Sequence, residues 1–252
     1  MNDIQFPEVT LYYDLNQLSP ELIADRCKTL QSFEIIYYDR SLPTLITVIA
    51  CILTQTSCLI LNRDWPNTTN DRLCAHLDGF DTNSIQPSVF LATSGSTGES
   101  KLCQQTYKSM LDSAVRSMTF MPIKTDDSFI LALQPYHMGG LLSMIKPLMA
   151  GASLFAGRDH WSEWIGQPRL HLALVPTQLK VIFDSLKKQT IRLSDIQSIL
   201  VGGDCLTSPL IDECLRFDLP VIVSYGMSET AGQVFSCFLK QHPTATIGAP
   251  LS

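Results

Sequence analysis

Eight short, nearly unbroken apolar runs recur along the chain and constrain its fold more than any other feature: EIIYYD (34–39), SCLIL (57–61), SVFLAT (88–93), SFILALQ (128–134), ASLFAG (152–157), HLALVP (171–176), QSILVG (197–202) and PVIVSYG (220–226). Runs of this length without polar alternation belong to strands covered on both faces. Helical starts separate them. Ser19-Pro20-Glu21 supplies an N-cap followed by proline at the first helical position, and Thr207-Ser208-Pro209 repeats the signal before LIDECLRF. Strands alternating with helices require crossovers that cover both faces of the sheet. The pattern therefore predicts an open, doubly wound α/β fold with mostly parallel sheets and helices on both faces.

The segment 42–61, LPTLITVIACILTQTSCLIL, carries no charge and approaches the length of a bilayer helix. The polar cluster Thr54-Gln55-Thr56-Ser57 breaks it into a helix of about three turns and a strand, so a buried helix–strand pair is expected and no membrane span. With 18 Lys and Arg against 24 Asp and Glu, and no basic run, the chain offers no footprint for nucleic acid. Its 8 cysteines form no C-x-x-C, several lie in apolar runs, and MNDIQFPEV lacks the features of a secretory signal. These features point to a reducing cytoplasm.

In open α/β sheets, ligands bind beyond the carboxyl ends of the strands, so the loops that follow strands are where chemistry is expected. Three stand out. LATSGSTGESK (91–101) reads as a phosphate cradle: Gly95 and Gly98 let backbone N–H groups converge on an anion, the hydroxyls of Thr93, Ser94, Ser96 and Thr97 add donors, and Lys101 adds charge. Taken alone it is equally an ordinary Ser/Gly loop. Gly98 is followed by Glu99-Ser100-Lys101-Leu102, so the G-K-[ST] ending of a Walker A loop is missing and a P-loop kinase or hydrolase is excluded. VSYGMSET (223–230) sets Tyr225, Gly226, Ser228 and Glu229 at a strand end, where they could cover a purine, touch a phosphate and hold Mg²⁺. The other reading is a strand-to-helix turn with two capping residues. LVGGDCL (200–206) pairs Gly202 with Gly203 before Asp204, and either a flat ligand approaches there or the chain simply turns.

In this order the three loops resemble those of the adenylate-forming superfamily: acyl- and aryl-CoA synthetases, luciferases and peptide-synthetase adenylation domains. TSGSTGESK is similar to its phosphate loop, with Ser100 where proline is usual, and YGMSE to its tyrosine-glycine-x-threonine-glutamate motif, with Ser228 for threonine. LNRDWP (61–66), QPYHMGGLLSMIKPLMAGASL (134–154) and TIGAPL (246–251) extend the likeness over about 40–251. Within the superfamily, the segments HLALVPTQLKVI and SILVGGDCLTSPLIDECLRFDLPVIVSYGMSETAGQV most resemble the o-succinylbenzoate-CoA ligases of menaquinone synthesis, although aryl- and medium-chain acyl-CoA ligases share much of the pattern.

The resemblance implies ATP-dependent activation of a carboxylic acid to acyl-AMP and then acyl-CoA, with ATP, Mg²⁺ and coenzyme A as cofactor or co-substrate. It implies that Thr93, Ser94, Gly95, Ser96, Thr97, Gly98 and Lys101 hold the β- and γ-phosphates, and that Gly202, Gly203 and Asp204 border adenine. Tyr225 would stack on adenine beside Gly226, Ser228 would touch the α-phosphate, Glu229 would bind Mg²⁺, and His137, Met138 and Gly139 would line the acid pocket. The expected organisation is one AMP-binding N-terminal domain over 1–252, divisible at about 1–87 and 88–252, without the small C-terminal domain of the superfamily. On that expectation the chain alone binds ATP weakly and adenylates poorly. The competing expectation is a truncated, non-catalytic paralogue that binds nucleotide.

Overall fold

The computed structural model describes residues 6–77, 86–94, 100–158, 160–242 and 249–250. In chain order the elements are β1 (Leu11–Tyr13), β2 (Asn16–Gln17), α1 (Pro20–Thr29), β3 (Phe33–Tyr38), α2 (Leu42–Thr54), β4 (Ser57–Asn62), α3 (Asn67–Ala75), β5 (Ser88–Ser94), β6 (Ser100–Thr106), α4 (Tyr107–Phe120) and β7 (Ser128–Ile130). They continue with α5 (Met138–Ala150), β8 (Ser153–Ala156), β9 (Leu170–Leu174), α6 (Leu179–Lys187), β10 (Ile196–Val201), α7 (Ser208–Arg216), β11 (Val221–Met227), β12 (Gly232–Phe238) and β13 (Ala249–Pro250).

All eight apolar runs form strands, and they divide between two sheets. The larger has the order β13-β12-β11-β10-β9-β7-β8-β1-β2, the smaller β3-β4-β5-β6. From β11 to β1 the large sheet is parallel throughout. Antiparallel strands close its edges, and β6 likewise pairs antiparallel with β5. The apolar-run pattern does not reveal these edge strands. SKLCQQT mixes polar and apolar residues because the edge strand β6 keeps one side toward solvent or a ligand, and GQVFSCF is similarly mixed as the antiparallel strand between β11 and the two-residue β13. The parallel pairing of β4 with β5 also spans residue 87, so a division at 87/88 falls inside the smaller sheet.

The charge-free stretch 42–61 is α2 followed by β4, with Gln55 in a left-handed conformation (φ +53°) ending the helix. Among the described residues no helix is long and apolar enough to cross a membrane. Ser19 caps α1 by accepting from the Glu21 N–H, whereas Thr207 occupies the cap position of α7 without a side-chain cap bond. One hydrophobic cluster joins Ile36, Ile60 and Leu91 of the small sheet to Leu11 and Leu154 of the large one through Leu45, Ile49, Met110, Leu141 and Ile145 of α2, α4 and α5. Those helices are therefore shared by both sheets. At the amino ends of the large sheet's strands, Asp127 accepts from Lys124 N (2.7 Å), Arg169 Nε (2.6 Å) and His171 Nε2 (3.0 Å), and His171 Nδ1 lies 2.7 Å from Ser198 Oγ.

SFILALQ is a strand only as far as Ile130, because β8 and β9 pair with β7 over 128–130 alone. Beyond it the chain peels away, and Ala132 offers its carbonyl to Gln178 Nε2 (3.2 Å) while Gln178 Oε1 accepts from Val175 N (2.9 Å). That side-chain clamp holds the carboxyl ends of β7 and β9 together.

Two glycines are set by close approach. A Cβ on Gly226 would collide with the carbonyl of Gly232 across the β11–β12 pair, and one on Gly140 with the carbonyl of Gln134. Gly226→Ala is accordingly expected to lower stability by about 1–3 kcal/mol in urea unfolding. Burial holds the His171 imidazole below its usual range in spite of the Asp127 bond. Burial alone would raise Asp127, but the three donors outweigh it and hold the carboxyl low. In both cases the unfolded chain binds more protons than the folded one. Stability therefore falls as pH drops below about 6.5, through His171, and falls again in the acid range, through Asp127. His171→Gln should flatten the slope between pH 7 and pH 5 in urea unfolding.

Candidate active site

The carboxyl ends of the parallel strands open into a cleft of about 850 Å³. The small sheet contributes Ala92 and Thr93 from β5, Ser100 from β6, and Trp65, Pro66 and Thr69 from the segment after β4. The large sheet contributes Ala173 and Leu174 from the end of β9 with Val175 after it, Leu200 of β10 with Gly202 and Gly203 after it, and Ser224, Gly226 and Met227 from β11. Ser228 and Glu229 follow in a single 3₁₀ turn. Across the cleft, Gln105 Nε2 of β6 donates to Ser228 O at 2.8 Å and so ties the small sheet to the turn after β11.

The wall opposite the glycines is the start of α5. His137 is its N-cap residue, with extended backbone (φ −117°, ψ 146°), and Met138, Gly139 and Gly140 follow it along the cleft. The His137 ring meets Tyr136 at 4.7 Å, and Tyr136 meets Trp65 at 5.7 Å and Tyr38 at 6.3 Å, an aromatic chain that fixes the helix start against the small sheet. Burial pushes His137 below its usual value of 6.5, so its ring is neutral at pH 7.

Of the residues singled out in the sequence, Thr93, His137, Met138, Gly139, Gly202, Gly203, Gly226, Ser228 and Glu229 line this one cleft. Ser94 ends β5, and Gly95, Ser96, Thr97 and Gly98 lie outside the described residues. Three residues take other positions. Lys101 is a strand residue of β6 paired with Thr93, and it borders a separate depression of about 320 Å³ with His76, Leu77, Phe90, Leu102 and Gln104. Tyr225 of β11 is not among the residues that line the cleft; it precedes a register shift against β12, is 47% exposed and packs on Phe235 at 6.4 Å. Asp204 is exposed and its carboxylate accepts from Cys205 N at 2.7 Å.

Glu229 is exposed, and among the described residues no hydrogen bond or ion pair engages its carboxylate. No group of three or more His, Cys, Asp or Glu is placed to hold a metal ion among the described residues. A single open carboxylate suits a hard cation that takes its remaining ligands from phosphate and water.

The residue missed by sequence reasoning is Lys146. It sits on α5 in the cleft lining, is only 2% exposed, and has no carboxylate partner among the described residues. Its Nζ lies 3.9 Å from Met121 Sδ and 5.5 Å from the centroid of the Phe129 ring. Burial lowers it to about 8. Ser117 and Gln233, joined by a 2.6 Å hydrogen bond, line the same cleft. The available signal was a lone cation in the apolar helix GLLSMIKPLMA.

Comparison with known proteins agrees with this geometry. The chain is 32% identical over 148 residues to the 2-succinylbenzoate–CoA ligase of Bacillus subtilis (strain 168), a match covering 58% of the chain and 30% of that protein. It is 31% identical over 179 residues to the ligase of the same name from Staphylococcus epidermidis, covering 68% of the chain and 36% of the relative. The chain thus spans about a third of the length of these curated relatives. Among solved structures, the o-succinylbenzoate coenzyme A synthetase MenE from Bacillus subtilis in complex with AMP superposes with a TM-score of 0.80 at 22% identity, over 98% of this chain and 62% of that one. A variant of E. coli MenE with bound OSB-AMS gives 0.79 at 22% identity, over 98% and 63%. These likenesses establish the fold: two parallel sheets flanked by helices, as in the N-terminal domain of adenylate-forming enzymes. The family model described as AMP-binding enzyme matches residues 50–252, most of the sequence, and the chain belongs to that family.

Proposed function

We propose that this chain carries the nucleotide and acyl sites of an AMP-forming acid–CoA ligase, and that its acid is o-succinylbenzoate. In the first half-reaction a carboxylate oxygen attacks the α-phosphorus of ATP, the bond to the β-phosphate bridging oxygen breaks, and acyl-AMP and pyrophosphate result. In the second, the thiol of coenzyme A adds to the acyl carbon, AMP departs, and the thiol proton is lost. The observation that carries the choice of acid is Lys146. A fully buried ammonium with no carboxylate partner is costly unless an anion meets it, and a fatty acid would leave it unpaired against an apolar chain. An acid with two carboxylates supplies one to the α-phosphate and the other to Lys146. The names of the relatives support the same choice.

The proposed assignments follow the cleft. Thr93, with residues Ser94 to Gly98, takes the β- and γ-phosphates, and Lys101 adds a cation from β6 rather than from the cleft wall. Gly202 and Gly203 admit the purine edge, with Asp204 at the rim and Tyr225 beyond Gly226 covering the base. Ser228 donates to the α-phosphate, and neutral His137 borders the reacting carboxylate. Mg²⁺ suits Glu229 and, when bound, would neutralise phosphate charge there. Catalysis is mostly positioning: the glycine-bearing turns hold ATP while α5 holds the acid in line. The compartment we propose is a reducing cytoplasm, in keeping with free buried thiols such as Cys58, which a hydrogen bond with the Cys51 thiol and burial keep protonated.

Pyrophosphate exchange on the full-length protein, with o-succinylbenzoate, benzoate and fatty acids compared, tests this reading. Exchange is expected with the first, and none with any acid would overturn it. Lys146→Met is expected to raise KM for o-succinylbenzoate about tenfold or more with a smaller change in kcat. Because the ammonium of the free enzyme is lost above about 8, kcat/KM for the same acid should fall as pH rises through that value. Glu229→Gln should raise the Mg²⁺ concentration needed for half-maximal exchange by about tenfold while leaving metal-free nucleotide binding, read by fluorescence, unchanged.

A further inference from the structure

Lys146 is held in place by groups that carry no formal charge. Phe129 is fully buried in β7, and its ring face lies beneath Nζ at 5.5 Å. The same ring stacks on His171, with centroids 6.5 Å apart and planes 14° from parallel. Met121, also fully buried, brings its sulfur to 3.9 Å from Nζ. His171 is pinned in turn by Asp127 and Ser198, so the aromatic plate under the lysine rests on a hydrogen-bonded base. A π face attracts a desolvated cation strongly yet forms no directional bond that an incoming carboxylate would have to break. A carboxylate in that position would instead neutralise the ammonium and repel the ligand.

We propose that Phe129 is a positioning residue for acid recognition: with Met121, its ring presents the Lys146 ammonium to the substrate carboxylate that is not activated, keeping it charged, aimed and unpaired until the acid arrives. This rests on the acyl-site reading above and assigns to β7 a part in specificity that no cleft-lining residue of that strand would suggest. The same arrangement predicts discrimination against acids that lack a second carboxylate.

The test is a double-mutant cycle read as the dissociation constant of a non-hydrolysable o-succinylbenzoyl-adenylate analogue, with the benzoyl-adenylate analogue as control, by titration calorimetry on the full-length protein. Phe129→Leu should weaken the dicarboxylate analogue about tenfold, leave the benzoyl analogue within twofold, and have almost no effect in the K146M background. Met121→Leu, which conserves volume, should give a smaller loss that also vanishes in that background, and it serves if F129L folds poorly. Equal losses in both backgrounds, or equal losses for both analogues, would reduce Phe129 to a packing residue and overturn the proposal while leaving the acyl-site reading intact. Unchanged affinity in K146M would overturn both.

Discussion

The central strands β7 and β9 of the large sheet are buried on both faces, and that constraint decides where polar chemistry can occur. A side chain along β9 finds no solvent whichever way it points, so hydroxyls, amides and charges are driven to the strand ends. At the amino ends they are consumed internally: Asp127, His171, Ser198 and Arg169 satisfy one another. At the carboxyl ends they are left open, and the small sheet supplies the opposing wall. The two sheets share α2, α4 and α5, so neither can shift without disturbing a common core. The Gln105–Ser228 bond then fixes β6 to the turn that carries Glu229. A cleft built in this way is a product of crossover topology and needs no special loop to exist.

The parts of this arrangement that could be read in the sequence are those governed by local rules. All eight continuous apolar runs became strands because that signal depends on no distant partner, but burial on both faces does not hold for β3, which exposes Ile35 and Tyr37 and is covered on one face only. The glycine and hydroxyl loops were legible for the same reason: only strand-end turns tolerate such composition. The antiparallel strands β6 and β12 were not legible, since their mixed pattern is set by what their neighbours leave uncovered. That omission explains the reading of Lys101 as a loop residue; β6 already includes it and carries the lysine to a neighbouring depression. Tyr225 lies where β11 changes register against β12, so its place relative to Ser224 and Gly226, which line the cleft, was not legible from the strand pattern. Lys146 lay within a segment already associated with the acyl pocket, yet a lone lysine in an apolar helix usually extends toward water, and only the packing of Met121 and Phe129 over it reveals that this one does not.

The two buried ionisable groups of the large sheet make the contrast sharper. His171 and Asp127 are as buried as Lys146, but each has its hydrogen bonds made, and such a network stabilises the folded state without demanding anything from a ligand. Among the described residues Lys146 has no such closure. Burial disfavours its charged form, and the cost is relieved either by loss of the proton or by an anion entering the cleft. A protein that handled purely apolar acids would gain stability by replacing that lysine with methionine or leucine, because an uncompensated buried charge is among the most expensive features a core can contain. On the proposed reading, the charge beside Phe129 is an energetic statement about the ligand: a carboxylate entering the cleft would complete it, and the free energy withheld from folding would be available for recognition.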